Sequence, residues 1–284
     1  MARPHHRRIS LIIPSRGRPM GLGRCVTSAV ERAAHPDRLT VQFYIDDDDA
    51  ELSLYGEVLE KLRDEYDPKG VILMGKVGDS IGCPRAANSL ALGVDTELVM
   101  MCGDDLVFQD DGWDDRLDEE AAKYPDDLFL FWFNEEQSRH KFSCFPIVSR
   151  RWIDTLGYFL PTTFEHYFAD LWVMEVACRI GRAHYISDVV VKHLPVPTGK
   201  TKDDTWDERA DQREQRFARD EALWPTGKRY RDHDADTLRA KMEPSDYERA
   251  DGHPLGQPRK APAVLDGGRV ELRDRSSYSM ADEY

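Results

Sequence analysis

Residues 9–49 read ISLIIPSRGRPMGLGRCVTSAVERAAHPDRLTVQFYIDDDD, and the hydrophobic period along them alternates between strand and helix. Ile9 to Ile13 is a short apolar run closed by Pro14 and a Ser-Arg-Gly-Arg-Pro turn, which predicts a buried strand running into a loop. Leu22, Val26, Ala29 and Ala33 then recur at helical spacing, and Val41 to Ile45 is a second strand stopped by Asp46, Asp47, Asp48 and Asp49. Downstream, Leu52, Tyr55, Leu59, Leu62 and Tyr66 mark an amphipathic helix, and Val71 to Met74 a third strand. A Gly-containing loop and a short helix (Arg85 to Leu92) lead to a fourth strand, Leu98 to Met101, which ends in Cys102-Gly103-Asp104-Asp105. Strand–helix units of about thirty residues predict an α/β fold: a mostly parallel central sheet flanked by helices. In such sheets ligands lie beyond the carboxyl ends of the strands, where this chain puts Pro14-Ser15-Arg16, Asp46 to Asp49 and Gly103-Asp104-Asp105.

A second block carries apolar runs at Leu128–Phe133 and Phe142–Val148. Thr162-Thr163-Phe164-Glu165 has the spacing of a capping box and predicts a helix running to about Ile180 before Gly181. Val189 to Val191 leads into Lys192-His193-Leu194-Pro195. From about residue 196 the chain is highly charged, with a helix expected over Asp203–Trp224 and an extended, loosely docked texture beyond Asp251.

Composition bounds the function. The 284 residues include 40% hydrophobic and 10% aromatic residues, enough for a packed core. Against 39 Lys and Arg stand 53 Asp and Glu, a net charge of −14, which excludes gripping nucleic acid or anionic lipid with the whole surface. No apolar run approaches a membrane span, and no signal peptide is readable after the basic start. Five scattered cysteines without a CxxC pattern are expected to be reduced thiols in a cytoplasmic protein.

The carboxylates carry the chemistry. Asp104 and Asp105, adjacent at a buried strand end, repel each other and call for a cation; a hard divalent ion such as Mg²⁺ or Mn²⁺ suits them and shares substrate phosphates. Asp46 ends its strand where an acidic residue can bond a ribose hydroxyl or base edge. Arg16 offers a phosphate-binding fork in the turn after the first strand, Arg18 reads as a surface arginine, and Arg85 and Asn88 open the third helix. No Walker-type loop follows a strand, so a P-loop kinase is excluded. On the helix predicted after Thr162, His166 and Asp170 fall four apart on one face: a general base with a tuning partner, and Glu165 the next candidate.

In order along residues 8 to 200 these parts resemble a family 2-type glycosyltransferase of the GT-A fold. They are Ser10 to Pro19, the acidic strand end at Asp46, Arg-Ala-Ala-Asn (85–88), Gly-Asp-Asp (103–105), Phe164 to Asp170, and His193. The resemblance implies a GT-A domain over residues 1–195, with a nucleotide-sugar half (8–105) and an acceptor half (106–195), followed by a charged extension (196–284) able to cover the donor site. It implies a nucleotide-diphosphate sugar as donor, a UDP-sugar foremost, held with Mn²⁺ or Mg²⁺. Pro14, Ser15, Arg16, Asp46, Arg85, Asn88 and Asp104 would then bind the donor, Asp105 and His193 the metal, and Asp170 with His166 would serve catalysis of an inverting transfer. Gly103 departs from the pattern, standing where the first aspartate of the DxD motif is expected. Residues 103–114 also resemble small bacteriophage-type glycosyltransferases, for which a hydroxymethylated DNA base is one acceptor; a protein or small-molecule hydroxyl is another. DNA would need Lys200, Lys202, Lys228, Arg229 and Arg231 to line one face. A nucleotidyltransferase on the same fold class, or a catalytically silent binding protein, are the alternatives.

Overall fold

The fold is described by a computed structural model covering residues 6–194 and 210–242. The chain opens with β1 (Ile9–Ser15), α1 (Pro19–Arg32), β2 (Leu39–Asp46), α2 (Leu52–Tyr66), β3 (Ile72–Gly78), α3 (Cys83–Ala91) and β4 (Leu98–Met101). It continues with β5 (Leu106–Phe108), α4 (Trp113–Ala121), β6 (Leu130–Asn134), β7 (Ile147–Ser149), α5 (Arg150–Leu156), α6 (Ala169–Arg179) and β8 (Ala183–His193). Two further helices, α7 (Ala210–Leu223) and α8 (Lys228–Arg239), follow.

The eight strands form one sheet in the order β3-β2-β1-β4-β7-β6-β8-β5. β3, β2, β1 and β4 are mutually parallel, so Ser15, Asp46, Gly78 and Met101 emerge at the same end. β1 shows why its sequence lacks alternation. Ile9, Leu11 and Ile13 pack with Leu22, Val26, Tyr55 and Leu62 on one face, while Ile12 packs with Ala86, Ala87 and Trp152 on the other. A strand buried on both sides has no polar face to display.

The second half of the sheet is mixed rather than parallel. β7 runs antiparallel to both β4 and β6, and β5 antiparallel to β8. β5 is too short to stand out from its acidic flanks, and only the Val189–Val191 part of the eleven-residue β8 was visible as an apolar run.

The helix expected to start at the Thr162–Glu165 box does not form there. Residues 162–168 are turns and bends, and α6 begins at Ala169. The physical reason lies in α7. The buried Asp220 carboxylate accepts from the backbone N–H groups of Glu165 (3.1 Å), His166 (3.0 Å) and Tyr167 (3.0 Å), an alternative to helical capping. Phe168 then takes a left-handed φ of 70°, a conformation a bulky residue adopts only when its surroundings impose it. Its ring is buried among Phe164, Phe217 and Trp224.

α7 and α8 pack on the acceptor half. Ala235 and Leu238 of α8 belong to the same buried cluster as Trp152 and Trp172. Arg231 is 3% exposed, forms an ion pair with Glu175 (Nε to Oε2, 2.9 Å) and stacks on Trp224, so it is no part of a surface for DNA. Of the expected helix over Asp203–Trp224, residues 203–209 lie outside the described residues, as do Lys200, Lys202 and the stretch beyond Asp251. Among the described residues no helix is long and apolar enough to cross a membrane. No disulfide links the five cysteines.

Candidate active site

The site is built at the carboxyl ends of β1, β2 and β4. Asp104 is 1% exposed and Asp105 reaches the surface. Ser15, at the last position of β1, donates its hydroxyl to Asp104 Oδ2 at 2.6 Å and lies 2.6 Å from the Tyr55 hydroxyl. Burial pushes the Tyr55 phenol up, so it stays protonated, and its oxygen accepts the Arg18 backbone N–H at 3.0 Å. Ser15 is thus a positioning residue for Asp104, its hydroxyl engaged inside the protein rather than toward a donor.

Arg18 is the residue sequence reasoning undervalued. It is not a surface arginine: its guanidinium meets Asp104 Oδ1 and Asp105 Oδ2, each at 3.0 Å. A fork between two carboxylates offsets their repulsion.

His193 reaches this pair through β5. The β5–β8 register sets His193 opposite Leu106, and its Nε2 lies 3.5 Å from Asp105 Oδ2. Leu194 N–H donates to the Asp105 carbonyl at 3.0 Å, and Phe145 packs edge-on against the imidazole. Burial by itself raises the Asp105 carboxyl; the hydrogen bond to His193 and the charge of Arg18 outweigh it and leave the group below its ordinary value.

Gly103 has a steric explanation. A Cβ built there would lie 2.4 Å from Asp105 Oδ1 and 3.1 Å from the Phe145 ring. An aspartate at 103 would displace the carboxylate beside His193.

The run Asp46–Asp49 resolves into separate duties. Asp46 Oδ2 accepts from Arg16 at 2.9 Å and from Ser80 at 2.8 Å. Asp48 also pairs with Arg16, Asp47 is exposed, and the buried Asp49 accepts from the N–H groups of Gly17 and Glu51. Pro14 is half-buried in β1 opposite Tyr44.

Next to Asp46 opens a cleft of about 370 Å³, lined by Ser80, Gly82, Arg85, Glu165, Arg216 and Arg219 among others. Gly82, at φ 83°, is required where the β3–α3 loop meets this wall: a Cβ there would sit 2.8 Å from the Glu165 carbonyl. Glu165 pairs with Arg216 (3.2 Å) and Arg219 (2.6 Å) of α7. Arg85 lines the cleft, but Asn88 does not. Its amide nitrogen donates to the Pro84 and Leu160 carbonyls and its oxygen accepts from Phe159 and Leu160 N–H, which exhausts its capacity inside the core.

Asp170 stands in the first turn of α6, its Oδ1 accepting the Leu171 N–H at 2.8 Å. Burial pushes the Cys83 thiol up to about 12, with the charges of Asp170 and Asp104 adding to it. His166 is exposed in the loop before α6 and is not an i,i+4 partner of Asp170 on one helix. Asp220 was missed altogether, being one acid among many in a charged helix; only contacts across the fold single it out.

The sequence matches no family model and no curated protein. Among solved structures, the mannosyltransferase PcManGT from Pyrobaculum calidifontis, in complex with GDP-Man and Mn²⁺, is similar at a TM-score of 0.58 and 15% identity; the match covers 88% of this chain and 77% of that one. S. aureus TarS 1-349 in complex with UDP-GlcNAc is similar at a TM-score of 0.51 and 13% identity over 68% of this chain. The chain spans 60% of that TarS structure. The architecture shared with these structures, a mostly parallel central sheet flanked by helices, is the GT-A fold.

Proposed function

We propose that this protein is a nucleotide-sugar-dependent glycosyltransferase that transfers a sugar from a nucleoside-diphosphate donor to a hydroxyl acceptor with inversion. The carrying observation is the cluster of Asp105, His193 and Arg18 at the strand ends, together with a cleft lined by Ser80 and Arg85, of which Ser80 donates to Asp46. The neighbours solved with GDP-Man and with UDP-GlcNAc support the donor class.

The donor set fits a divalent ion. A carboxylate oxygen and an imidazole nitrogen 3.5 Å apart, the carboxylate ionised and partly open, suit Mn²⁺ or Mg²⁺, with the remaining positions left to phosphate oxygens and water. Asp105 and His193 would hold it, and when bound it supplies charge neutralisation for a departing diphosphate. The other duties fall to the chain itself. The Arg16–Asp46–Ser80 cluster orients the nucleoside at the end of β2. Arg18 sets a fixed cation beside the leaving group, placed by the Tyr55 hydroxyl and the two aspartates. Asp170 accepts the acceptor's proton as its oxygen attacks the anomeric carbon through an oxocarbenium-like state. A single displacement of this kind inverts the anomeric centre.

Incubating the protein with UDP- and GDP-sugars and Mn²⁺ tests this. Donor-dependent release of nucleoside diphosphate, together with a rise in melting temperature on donor binding, is the expected outcome. Neither signal with any donor would overturn the assignment.

A further inference from the structure

At the opposite end of β1 and β2 from the site described above, three segments meet where the residues before β1 approach α4. His35 Nε2 lies 3.5 Å from Asp115 Oδ1, and His6 Nδ1 lies 3.7 Å from the same oxygen. The two imidazole rings are 4.4 Å apart between centroids, and all three donor atoms fall within 4.8 Å of one another. We propose that His6, His35 and Asp115 form a second metal site, one for a borderline-soft divalent ion such as Zn²⁺.

The spacing fits the ion. With metal–ligand bonds of about 2.0–2.1 Å, the ligands of a tetrahedral Zn²⁺ stand about 3.3 Å apart, slightly inside the two His–Asp separations here. Two imidazoles with one carboxylate select Zn²⁺ over Mg²⁺, whereas the acid-rich strand-end cluster has the opposite preference. Each donor is half-buried, leaving a side open for water as the fourth ligand.

The scaffold behind these donors is built and buried. Asp114, 0% exposed, accepts from the backbone N–H groups of Ala34 (2.7 Å) and His35 (3.0 Å), which fixes the chain that presents His35. Arg38, also buried, bonds Asp114, reaches Asp115 at 3.1 Å and Asp118 at 3.1 Å, and donates to the Arg7 carbonyl at 3.3 Å. Arg7 pairs with Asp118 at 3.1 Å, and His6 Nδ1 lies 3.4 Å from Asp118 Oδ2. Asp114, Asp115, Asp118 and Asp127 face Arg7 and Arg38, four carboxylates to two guanidiniums, so net negative charge is left to meet a cation. The Arg38 contact to Asp115 is the outer hydrogen bond that orients a ligating carboxylate. Bound Zn²⁺ ties the segment before β1 to α4 and to the turn that leads into β2.

Zinc binding here does not depend on the transferase assignment, and the experiment keeps the two apart. Titrate the full chain with Zn²⁺ in excess Mg²⁺, by calorimetry and by melting temperature, and record the visible spectrum with Co²⁺ in place of Zn²⁺. One equivalent bound, a raised melting temperature and the absorption of tetrahedral Co²⁺ are expected. H35Q and H6Q should each weaken binding by roughly tenfold or more and lose the thermal shift. Asp105→Asn should leave all three signals unchanged. No Zn²⁺ binding to the wild-type chain overturns the site, as does binding unaltered in H35Q and H6Q or abolished by Asp105→Asn. Metal-free circular dichroism matching wild type establishes that the variants are folded.

Discussion

Asp104 and Asp105 are neighbours in sequence with different fates. Ser15 and Arg18 bind the buried Asp104, while Asp105 looks outward to His193. Asp105→Asn is expected to abolish Mn²⁺-dependent donor binding, read as loss of the donor-induced thermal shift, with circular dichroism unchanged. Its pH dependence follows from the direction of its shift. Burial raises the Asp105 carboxyl, but His193 and Arg18 outweigh it and hold the group low, so its stabilising contribution is present above the ordinary carboxylate value and is lost as pH falls through the folded one. Urea midpoints taken from about pH 6 down to about pH 3 should therefore fall less steeply for Asp105→Asn than for wild type. Asp170→Asn keeps shape and removes basicity; kcat should drop by roughly 10²-fold or more at nearly unchanged donor affinity. Loss of donor affinity instead would make Asp170 a donor ligand.

At the scale of elements, the segment from Thr162 to Phe168 is what α7 makes of it. Sequence spacing assigned it to a helix, yet three of its N–H groups close on Asp220 of a helix some fifty residues later. Asp220→Asn cannot reproduce three charge-assisted bonds and should cost roughly 1.5–3 kcal/mol in urea unfolding, and kcat should fall as the approach to Asp170 loosens. Gly82→Ala meets the Glu165 carbonyl at 2.8 Å in a left-handed backbone and should cost about 1–3 kcal/mol by the same measurement. Wild-type stability in either variant would show that the loop is held by other contacts. Register acts at this scale too: β5, a strand of three residues, is what brings His193 to Asp105.

At the scale of the whole molecule, the two faces of the sheet have different covers. α1, α2 and α4 close one, and α3, α5, α6 and α8 close the other. Beyond residue 196 the chain is highly charged, yet α8 contributes Leu238, 0% exposed, to the second core, and Arg231 is buried against Trp172 and Trp224 with Glu175 as its counter-ion. Leu238→Ala should destabilise the protein by about 2–5 kcal/mol in chemical denaturation, whereas a detached extension would show no change.

Taken alone, the sequence determined the parallel half of the sheet, because strands buried on both faces must be continuously apolar and the helices between them must be amphipathic. It also determined that acids and arginines gather beyond the strand ends, since polar residues that follow such strands have nowhere else to lie. Chain direction and hydrophobic period are local properties, legible residue by residue from Ile9 to Met101. Tertiary structure decided which of those polar groups belong together. It turned Arg18 from a surface residue into the bridge between two aspartates, withdrew Asn88 and Ser15 into the framework, and recruited Asp220. Each of these depends on contacts between residues distant in sequence, and a hydrogen bond across such a distance leaves no period in the chain to read.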